Sequence, residues 1–498
     1  MGIPSYTKQL LRKASKISSM SPGTVDYLFL DFNGMIHPSS HKVIQEIKDG
    51  NSNFTQQQVF DKIILQCISD LNYIVNKIKP TKFVYIAVDG VAPFAKMHQQ
   101  RLRRFKVPLS DKVIFDSCNI TPGTVFMNQL KQALIANKLP NAIFNFADSP
   151  GEGEHKIMKY IRNGNFIGNK VIFGLDADLI MLTIALNLEN LWIYREEQDD
   201  FLIKRFGNYN FISIDLVRKW LSRDLNTEGV KSQNEINNKL TDYVLLCFFG
   251  GNDFLPNLPS IRINCGGLDN LMSIYGEFNL FLTKNGKINI PDFTKFIEIL
   301  YERETSMVKR NINTLKQRNP DLKDPVGYTE DDWVRRHYTY HFKFNNLIKT
   351  PREFTPSHQE QDIIKITIEY IKTLEWILGY YLGTCNDYRH YYDYHATPTL
   401  YSILNQLKGG YDNFNFSTRD FCTEHQQLMC VLPKGSAELL PQKYRYLMTS
   451  PDSPLVMYYP ESISFDTSFC SEEWQYKSVF LPVDFEEIIE VVKFKINK

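Results

Sequence analysis

The 498-residue chain lacks the features of a membrane protein, a secreted protein or a cysteine-ligated zinc protein. No run of about eighteen apolar residues occurs that could cross a bilayer, and the N-terminus lacks the apolar core of a signal peptide. The eight cysteines are scattered, with no CxxC pair and no His/Cys cluster at zinc-like spacing. Internal repeats and low-complexity tracts are also missing. These absences predict reduced thiols and a cytoplasmic location, with the nucleus as the alternative.

The charge balance is nearly neutral, with a formal net charge of +1. That balance excludes a generally basic polycation, so any nucleic-acid binding must come from a local patch. The 43% of apolar residues is enough for a large buried core and for more than one domain.

Five β-like runs alternate with helix-like stretches in the first half of the chain. They lie at 25–34, 82–90, 141–149, 169–182 and 190–197, and they are rich in Val, Ile, Phe and Tyr. Such nearly continuous hydrophobicity is typical of parallel strands buried on both faces. The pattern predicts an α/β fold with a mostly parallel central sheet flanked by helices.

A polar, helical pattern follows, and a hydrophilic break containing proline interrupts it. We therefore predict an N-terminal catalytic region (1–345), a short linker (346–365) and a second region (366–498). The second region begins with a long amphipathic helix at 362–383 and continues as loops. We expect it to be helical and loop-rich, to pack against the sheet and to complete the active-site cleft.

Most of the β-like runs end in an acidic residue, and further acids follow in two glycine-rich segments. The set is Asp31, Asp89, Glu152, Glu154, Asp176, Asp178 and Asp253. Because ligands gather outside the carboxyl ends of parallel strands, these side chains should converge on one cleft. A single Asp there is more often a helix cap or turn residue. Seven together would repel one another without cations, so the set indicates two Mg²⁺ ions, which Mn²⁺ can replace.

Local geometry should bring the paired acids together. Asp176 and Asp178 are two residues apart in a predicted strand, which points both side chains to one face. Glu152 and Glu154 would lie about 200° apart on a helix at 100° per residue, so their turn must still be extended. Gly151 and Gly153 permit that conformation.

A basic stripe is predicted on the helix "AKMHQQRLRRFK" at 95–106. The residues that share one face are Lys96, Gln100, Arg103 and Arg104, while Arg101 falls off it. Charge runs are usually solvated helix faces. A lysine, an amide and two arginines close behind Asp89 suit a phosphate monoester better.

Aromatic and histidine side chains are less decisive. His37 can stack on a base or contact a phosphate, although a lone histidine is more often structural. The loop 386–398, "NDYRHYYDYHATP", can stack single-stranded bases or simply pack in the core, and the sequence favours neither.

Long motifs in a fixed order carry a resemblance that spans nearly the whole chain. They are "LDFNGMIHP", "AVDGVAPFAKMHQQRLRRF", "PGEGEHKIM", "GLDADLIML", "GNDFLPNLP", "YYDYHATP" and "LMCVLPKGSAELLP". They resemble the XRN family of 5′-to-3′ exoribonucleases, whose catalytic core is related to the flap endonucleases and has a PIN-like fold.

The resemblance implies that the seven acids bind two Mg²⁺ ions and that the basic stripe holds the 5′-monophosphate of single-stranded RNA. It also implies that His37 stacks on a leading base. The implied reaction is processive 5′-to-3′ hydrolysis to nucleoside 5′-monophosphates in mRNA decay, by a monomer without a membrane anchor. A decapping enzyme would act upstream.

Two departures from the family pattern matter. The loop before "YYDYH" lacks the usual tryptophans, so Tyr388 or His390 is expected to take the base-stacking role. The chain also lacks long extensions after the second region, which suggests a compact catalytic core from a virus or a protist. The alternative functions are a structure-specific flap-type DNA nuclease and a non-catalytic RNA-binding scaffold.

Overall fold

The computed structural model describes residues 10, 21–50, 54–106, 114–196, 209–225, 232–346, 356–470, 476–479 and 483–496. These residues form two compact units. The first, here called the sheet unit, takes its described residues from 10–217, 420–461 and 484–496. The second, here called the helical unit, takes them from 218–419 and 462–483.

A six-stranded sheet is the centre of the sheet unit. Its strands are β1 (Tyr27–Asp31), β2 (Phe83–Ala87), β3 (Ala142–Asn145), β4 (Lys170–Phe173), β5 (Leu191–Glu196) and β6 (Tyr209–Ser213). Their order is β3-β2-β1-β4-β5-β6, and all neighbours are parallel except β6, which runs antiparallel to β5. The predicted α/β class with a mostly parallel sheet is confirmed. The chain builds outward from β1 on both sides, which puts the topological switch point between β1 and β4.

Helices account for most of the remaining described structure. In chain order they are α1 (Asn33–Asp49), α2 (Gln56–Ile78), α3 (Phe94–Arg104), α4 (Val125–Ala136), α5 (Gly153–Asn163), α6 (Asp178–Ala185), α7 (Ile214–Asp224), α8 (Gln233–Phe248), α9 (Gly267–Gly276), α10 (Ile290–Arg318), α11 (Trp333–Asn346), α12 (Pro356–Leu382), α13 (Leu400–Lys408), α14 (Glu424–Val431), α15 (Gln442–Thr449) and α16 (Phe485–Ile496). Two short hairpins complete the helical unit: β7 (Thr283–Lys284) with β8 (Lys287–Ile288), and β9 (Ser464–Asp466) with β10 (Lys477–Val479). No described helix is both long enough and apolar enough to cross a membrane.

The two central strands, β1 and β4, are buried on both faces, as their sequences predict, whereas the edge strand β3 is partly exposed, with Ile143 exposed. Every residue of β1 and β4 is buried, and Leu28, Leu30 and Val171 are among the side chains at the centre of the core. β1 and β4 therefore remove their apolar side chains from water, which favours folding by about 25 cal/mol per Å² of apolar surface.

The predicted run at 169–182 is not one strand. The strand ends at Phe173, and a buried helix, α6, begins at Asp178. Gly174 allows the turn, because a Cβ there would lie 2.2 Å from Leu179 Cδ1. The whole of α6 is buried, and an apolar run without periodicity cannot distinguish a strand from a helix. The alternation argument for Asp176 and Asp178 was therefore wrong, although both residues reach the same site.

Part of the second region packs inside the sheet unit. The backbone N–H of Ala92 donates to Gln427 Oε1 at 2.8 Å, and Arg101 Nη1 donates to the Cys430 carbonyl at 2.9 Å. The predicted helix at 362–383 corresponds to α12, which begins earlier, at Pro356, and ends at Leu382. The predicted division into 1–345, 346–365 and 366–498 stays a prediction, and residues 347–355 lie outside the described residues.

Candidate functional site

Six of the seven predicted acids lie in the sheet unit, at the carboxyl ends of its neighbouring strands. Asp31 is the last residue of β1 and pairs in register with Ala87, two residues before Asp89. Asp176 and Asp178 follow β4, on the other side of β1. Since parallel strands end at the same edge of a sheet, these acids gather beside the switch point.

The glycine-rich turn that carries Glu152 and Glu154 is extended up to Glu152, and α5 begins at Gly153. Gly151 has φ +104°, a conformation that favours glycine. The Gly153 backbone N–H donates to Asp89 Oδ1 at 2.6 Å. A Cβ on Gly153 would lie only 2.8 Å from Asp31 Oδ1, so this glycine lets the turn approach the strand-end carboxylates.

Electrostatics link the six acids into one cluster. Burial raises the pKa of Asp31 well above its usual value, and the charges of Asp89, Asp176 and Glu152 raise it further. Burial likewise raises the pKa of Asp89, against a lowering by the Gly153 N–H bond. The carboxyl groups are therefore close enough to oppose one another's ionisation.

Glu154 closes the cluster on the α5 side. Burial raises its pKa well above the usual value, followed by the charges of Asp176, Glu152 and Asp178. Its Oε2 is buried without a hydrogen-bond partner. A divalent cation would satisfy such an oxygen, and oxygen-only ligand sets suit Mg²⁺ or Mn²⁺.

Two lysines contact this region, and sequence analysis identified only one of them. Lys96 Nζ lies 2.8 Å from Glu152 Oε2, and its charge lowers the pKa of Asp31, Asp89 and Glu154. Lys156 is buried, and its Nζ donates at 2.8 Å both to the Val88 carbonyl and to the Phe146 carbonyl. It therefore fixes the backbone beyond β2 and β3, a role that no sequence motif signals.

The basic stripe lies on α3 as predicted, and part of it faces the acids. Arg104 Nη2 donates to Thr121 Oγ1 at 2.7 Å. A narrow recess is lined by Asn33, Asp89, Gly90, Ala92, Gln100, Arg104, Ile120, Thr121, Pro122, Glu152 and Gln427. Guanidinium, amide and hydroxyl groups thus share one recess with two of the carboxylates. Thr121 was given no role in the sequence analysis, because its contact with Arg104 is made only in the fold.

Arg101 has a different role from its neighbours on α3. Its side chain is 1% exposed, and its guanidinium donates to the carbonyls of Cys430 and Tyr458. Burial lowers its pKa to about 10. Arg101 therefore ties α3 to the C-terminal segments of the sheet unit, in agreement with its exclusion from the stripe.

His37 lies on α1 near the basic stripe. Burial lowers its pKa to about 4, and the charges of Arg103, His41 and Arg104 act in the same direction. The imidazole is therefore neutral at pH 7. A neutral, half-buried ring beside two arginines is compatible with a base or phosphate contact, and its role stays a prediction.

The other three predicted residues lie in the helical unit. Asp253 is half-buried in the turn after α8, where Gly251 adopts φ +84°. Tyr388 is half-buried, and its N–H donates to the Arg419 carbonyl at 2.8 Å. His390 is 4% exposed, with Nε2 2.8 Å from Thr373 Oγ1, and burial lowers its pKa to about 3. This burial leaves Tyr388 as the better candidate for base stacking.

Comparison with known proteins agrees with this geometry. The model described as "XRN 5′-3′ exonuclease N-terminus" matches residues 1–112 and 108–197. The model described as "Xrn1 helical domain" matches residues 233–334 and 302–492. Together these matches cover far more than half of the chain.

Individual relatives carry exoribonuclease names. The chain is 28% identical to "5′-3′ exoribonuclease 2" of Arabidopsis thaliana, over 90% of this chain and 60% of the relative. It is 27% identical to "5′-3′ exoribonuclease 1" of Homo sapiens, over 99% and 34%, and 25% identical to the protein of that name in Saccharomyces cerevisiae, over 100% and 43%. The chain thus spans less than two thirds of the length of each of these relatives. On the strength of the two family models, the chain belongs to the XRN 5′-3′ exonuclease family.

Proposed function

We propose that this chain is a 5′-to-3′ exoribonuclease that hydrolyses single-stranded RNA carrying a 5′-monophosphate. The names of its relatives support RNA as the substrate and the 5′ end as the start. One observation supports the phosphate requirement best: Asp89 and Glu152 share a recess with Gln100, Arg104 and Thr121. Phosphate-binding donors and carboxylates that suit metal ions are therefore adjacent.

The acid cluster fits two divalent cations. Asp31, Asp89, Glu152, Glu154, Asp176 and Asp178 would hold them, and the resemblance implies Asp253 as a seventh ligand. Burial, followed by the charges of neighbouring carboxylates, raises the pKa values of Asp31 and Glu154, and Glu154 Oε2 is a buried oxygen without a hydrogen-bond partner. When bound, the ions would supply an activated water and stabilise the leaving oxygen of the phosphodiester.

The residues of the chain position the substrate. Arg104 and Gln100 can donate to the oxygens of a terminal phosphate, with Thr121 orienting the guanidinium. Arg103 and Lys96 add positive charge from the same helix face, and we propose that they complete the monophosphate site. We propose, from the resemblance, that this site accepts a 5′-monophosphate and rejects a triphosphate or a cap.

The finer proposal follows from the resemblance. We propose that the enzyme is processive and releases nucleoside 5′-monophosphates. We further propose that it acts in mRNA decay in the cytoplasm, downstream of a decapping enzyme, as a monomer. His37 and Tyr388 would contact the leading bases.

One assay separates this function from its rivals. Purified chain with Mg²⁺ would receive 3′-labelled RNA bearing a 5′-monophosphate, triphosphate or hydroxyl, and separately a DNA flap. Rapid loss of the monophosphorylated RNA alone is expected. Cleavage of the flap would favour a DNA nuclease, and binding without cleavage would favour a scaffold.

Variants assign the parts of the site. Asp176→Ala combined with Asp178→Ala should abolish hydrolysis while RNA binding stays measurable. Arg103→Ala and Arg104→Ala should reduce discrimination between 5′ ends, whereas Arg335→Ala, at an exposed arginine of α11, should not. Unchanged selectivity in both α3 variants would show that the basic stripe is only a solvated helix face.

A further inference from the structure

A second group of metal-ligating side chains lies in the helical unit, apart from the acid cluster. His341, His395 and Asp466 each offer one ligand atom, and the three atoms lie within 4.8 Å of one another. His341 is 3% exposed and Asp466 is 8% exposed, while His395 is half-buried. The residues come from α11, the loop between α12 and α13, and β9.

A chain of hydrogen bonds sets the tautomer of His341. The Thr397 carbonyl can only accept, so His337 Nε2, 2.8 Å away, must donate to it. In a neutral imidazole the other nitrogen then accepts, and Tyr328 Oη lies 2.7 Å from His337 Nδ1. The Tyr328 hydroxyl therefore donates a hydrogen bond to His337 Nδ1.

The same hydrogen bonds determine which nitrogen of the candidate ligand His341 carries the proton. Once Tyr328 donates to His337, its oxygen can accept from His341 Nε2, which lies 3.4 Å away. His341 then carries its proton on Nε2 and presents the lone pair of Nδ1. Metal-binding histidines typically donate the other ring N–H in this way, which fixes the orientation of the ring.

The carboxylate is oriented by equivalent contacts. Asp466 Oδ1 accepts from the Ser468 backbone N–H at 2.9 Å and from Tyr340 Oη at 3.2 Å. Tyr340 Oη also lies 2.7 Å from Ser468 Oγ. These bonds hold the carboxylate through Oδ1, and we assign Oδ2 to the ion.

We propose that His341, His395 and Asp466 bind one transition-metal ion of the zinc class. Two imidazole nitrogens and one carboxylate suit Zn²⁺, whereas Mg²⁺ prefers an all-oxygen site. A water can complete four-coordination. Because the three ligands are far apart in the sequence, the ion would link α11, the loop between α12 and α13, and β9.

A cobalt titration of the full chain tests this site directly. Co²⁺ in a four-coordinate site absorbs visible light far more strongly than six-coordinate Co²⁺, so an all-oxygen octahedral site contributes little. After metal removal, the native chain should bind one equivalent of Co²⁺ with the intense spectrum, and Zn²⁺ should displace it. The double variant Asp176→Asn with Asp178→Asn, which disables the acid cluster, should keep this equivalent.

Variants of the helical unit complete the test. His395→Ala and Asp466→Asn should lose the equivalent, and the control His425→Ala in the sheet unit should retain it. Tyr328→Phe removes no ligand but breaks the hydrogen-bond chain, so it should weaken affinity about 10- to 100-fold.

Two results would overturn the proposal. One is a native chain that gives no intense spectrum, or only one that the acid-cluster double variant abolishes. The other is a full equivalent retained in His395→Ala. If the ligand variants fail to fold, the Co²⁺ spectra of the native chain and of the acid-cluster double variant still show whether the site in the helical unit binds the ion.

Discussion

Glu154→Gln should make the metal-free chain more stable while impairing its chemistry. Glu154 Oε2 is buried without a hydrogen-bond partner and faces the charges of Asp176, Glu152 and Asp178. An unsatisfied buried polar atom costs about 1–3 kcal/mol, and more when it is charged. Glutamine keeps the shape, removes the charge and can donate an N–H to a neighbouring carboxylate.

The expected size of the effect is measurable by thermal unfolding. A gain of about 1–3 kcal/mol corresponds to roughly 2–12 °C in the melting temperature of a unit of this size. Calorimetry in EDTA should therefore show Glu154→Gln melting above the native chain. Saturating Mg²⁺ should raise the native melting temperature and raise that of the variant much less, because a ligand stabilises only the state that binds it.

The pH dependence of unfolding tests the direction of this stability change independently. A carboxyl group with a raised pKa binds more protons in the folded state, so its contribution to stability falls as pH rises above its ordinary value. Buried histidines such as His98, whose pKa is lowered to about 4, act in the opposite direction. The difference between native and Glu154→Gln isolates the carboxyl group, and the advantage of the variant should be larger at pH 7.5 than at pH 5.5.

The control is Glu46→Gln, at an exposed position of α1, which should leave the melting temperature unchanged in EDTA and in Mg²⁺. If Glu154→Gln melts below the native chain in EDTA, the charge at Glu154 is already compensated, and the reasoning for a cation site fails.

Three further perturbations test how the site is held. Gly153→Ala should destabilise the chain by about 1–3 kcal/mol in urea unfolding and slow RNA hydrolysis, because its Cβ would lie 2.8 Å from Asp31 Oδ1. The control Gly276→Ala, whose Cβ has no neighbour closer than 3.8 Å, should change neither the stability nor the rate of hydrolysis. Arg101→Ala should cost about 2–5 kcal/mol in urea unfolding, since it removes a buried side chain and leaves the Cys430 and Tyr458 carbonyls without their donor, and a loss below 1 kcal/mol would contradict its structural role. Lys156→Met should cost about 1–3 kcal/mol for each of the two carbonyls it leaves without a donor, and unchanged unfolding would show that water replaces it.

The sheet and the acid cluster were predictable because both follow from local sequence. An apolar run that ends in an acid places that acid at a strand terminus, whatever the neighbouring strand is. The positions of Asp31 and Asp89 could be predicted from this local pattern alone. The Asp176 and Asp178 pair was found for the wrong reason, since a glycine and a fully buried helix replaced the predicted strand.

Features made by distant contacts were not predictable. Lys156 sits in the same motif as the glutamates, yet its partners are backbone carbonyls of two other segments. His390 belongs to an aromatic loop whose sequence suits stacking and packing equally, and only the fold shows that its ring is buried beside Thr373. Periodicity reports which face of an element is apolar, but not what that face meets.

The same limit explains how a zinc-class site can be present in a chain without any zinc-like spacing. Spacing rules recognise ligands that one turn or one helix brings together. His341, His395 and Asp466 become neighbours only because a helix, a loop and a hairpin meet. A hydrogen-bond chain runs from the Thr397 carbonyl through His337 and Tyr328 to His341. Burying these polar groups costs free energy unless each one has a hydrogen-bond partner, so a metal ion bound to His341 would give the chain a use. This hydrogen-bond chain is therefore a second reason for expecting an ion, beside the clustering of the three ligand atoms, and Tyr328→Phe tests it because the substitution removes no ligand.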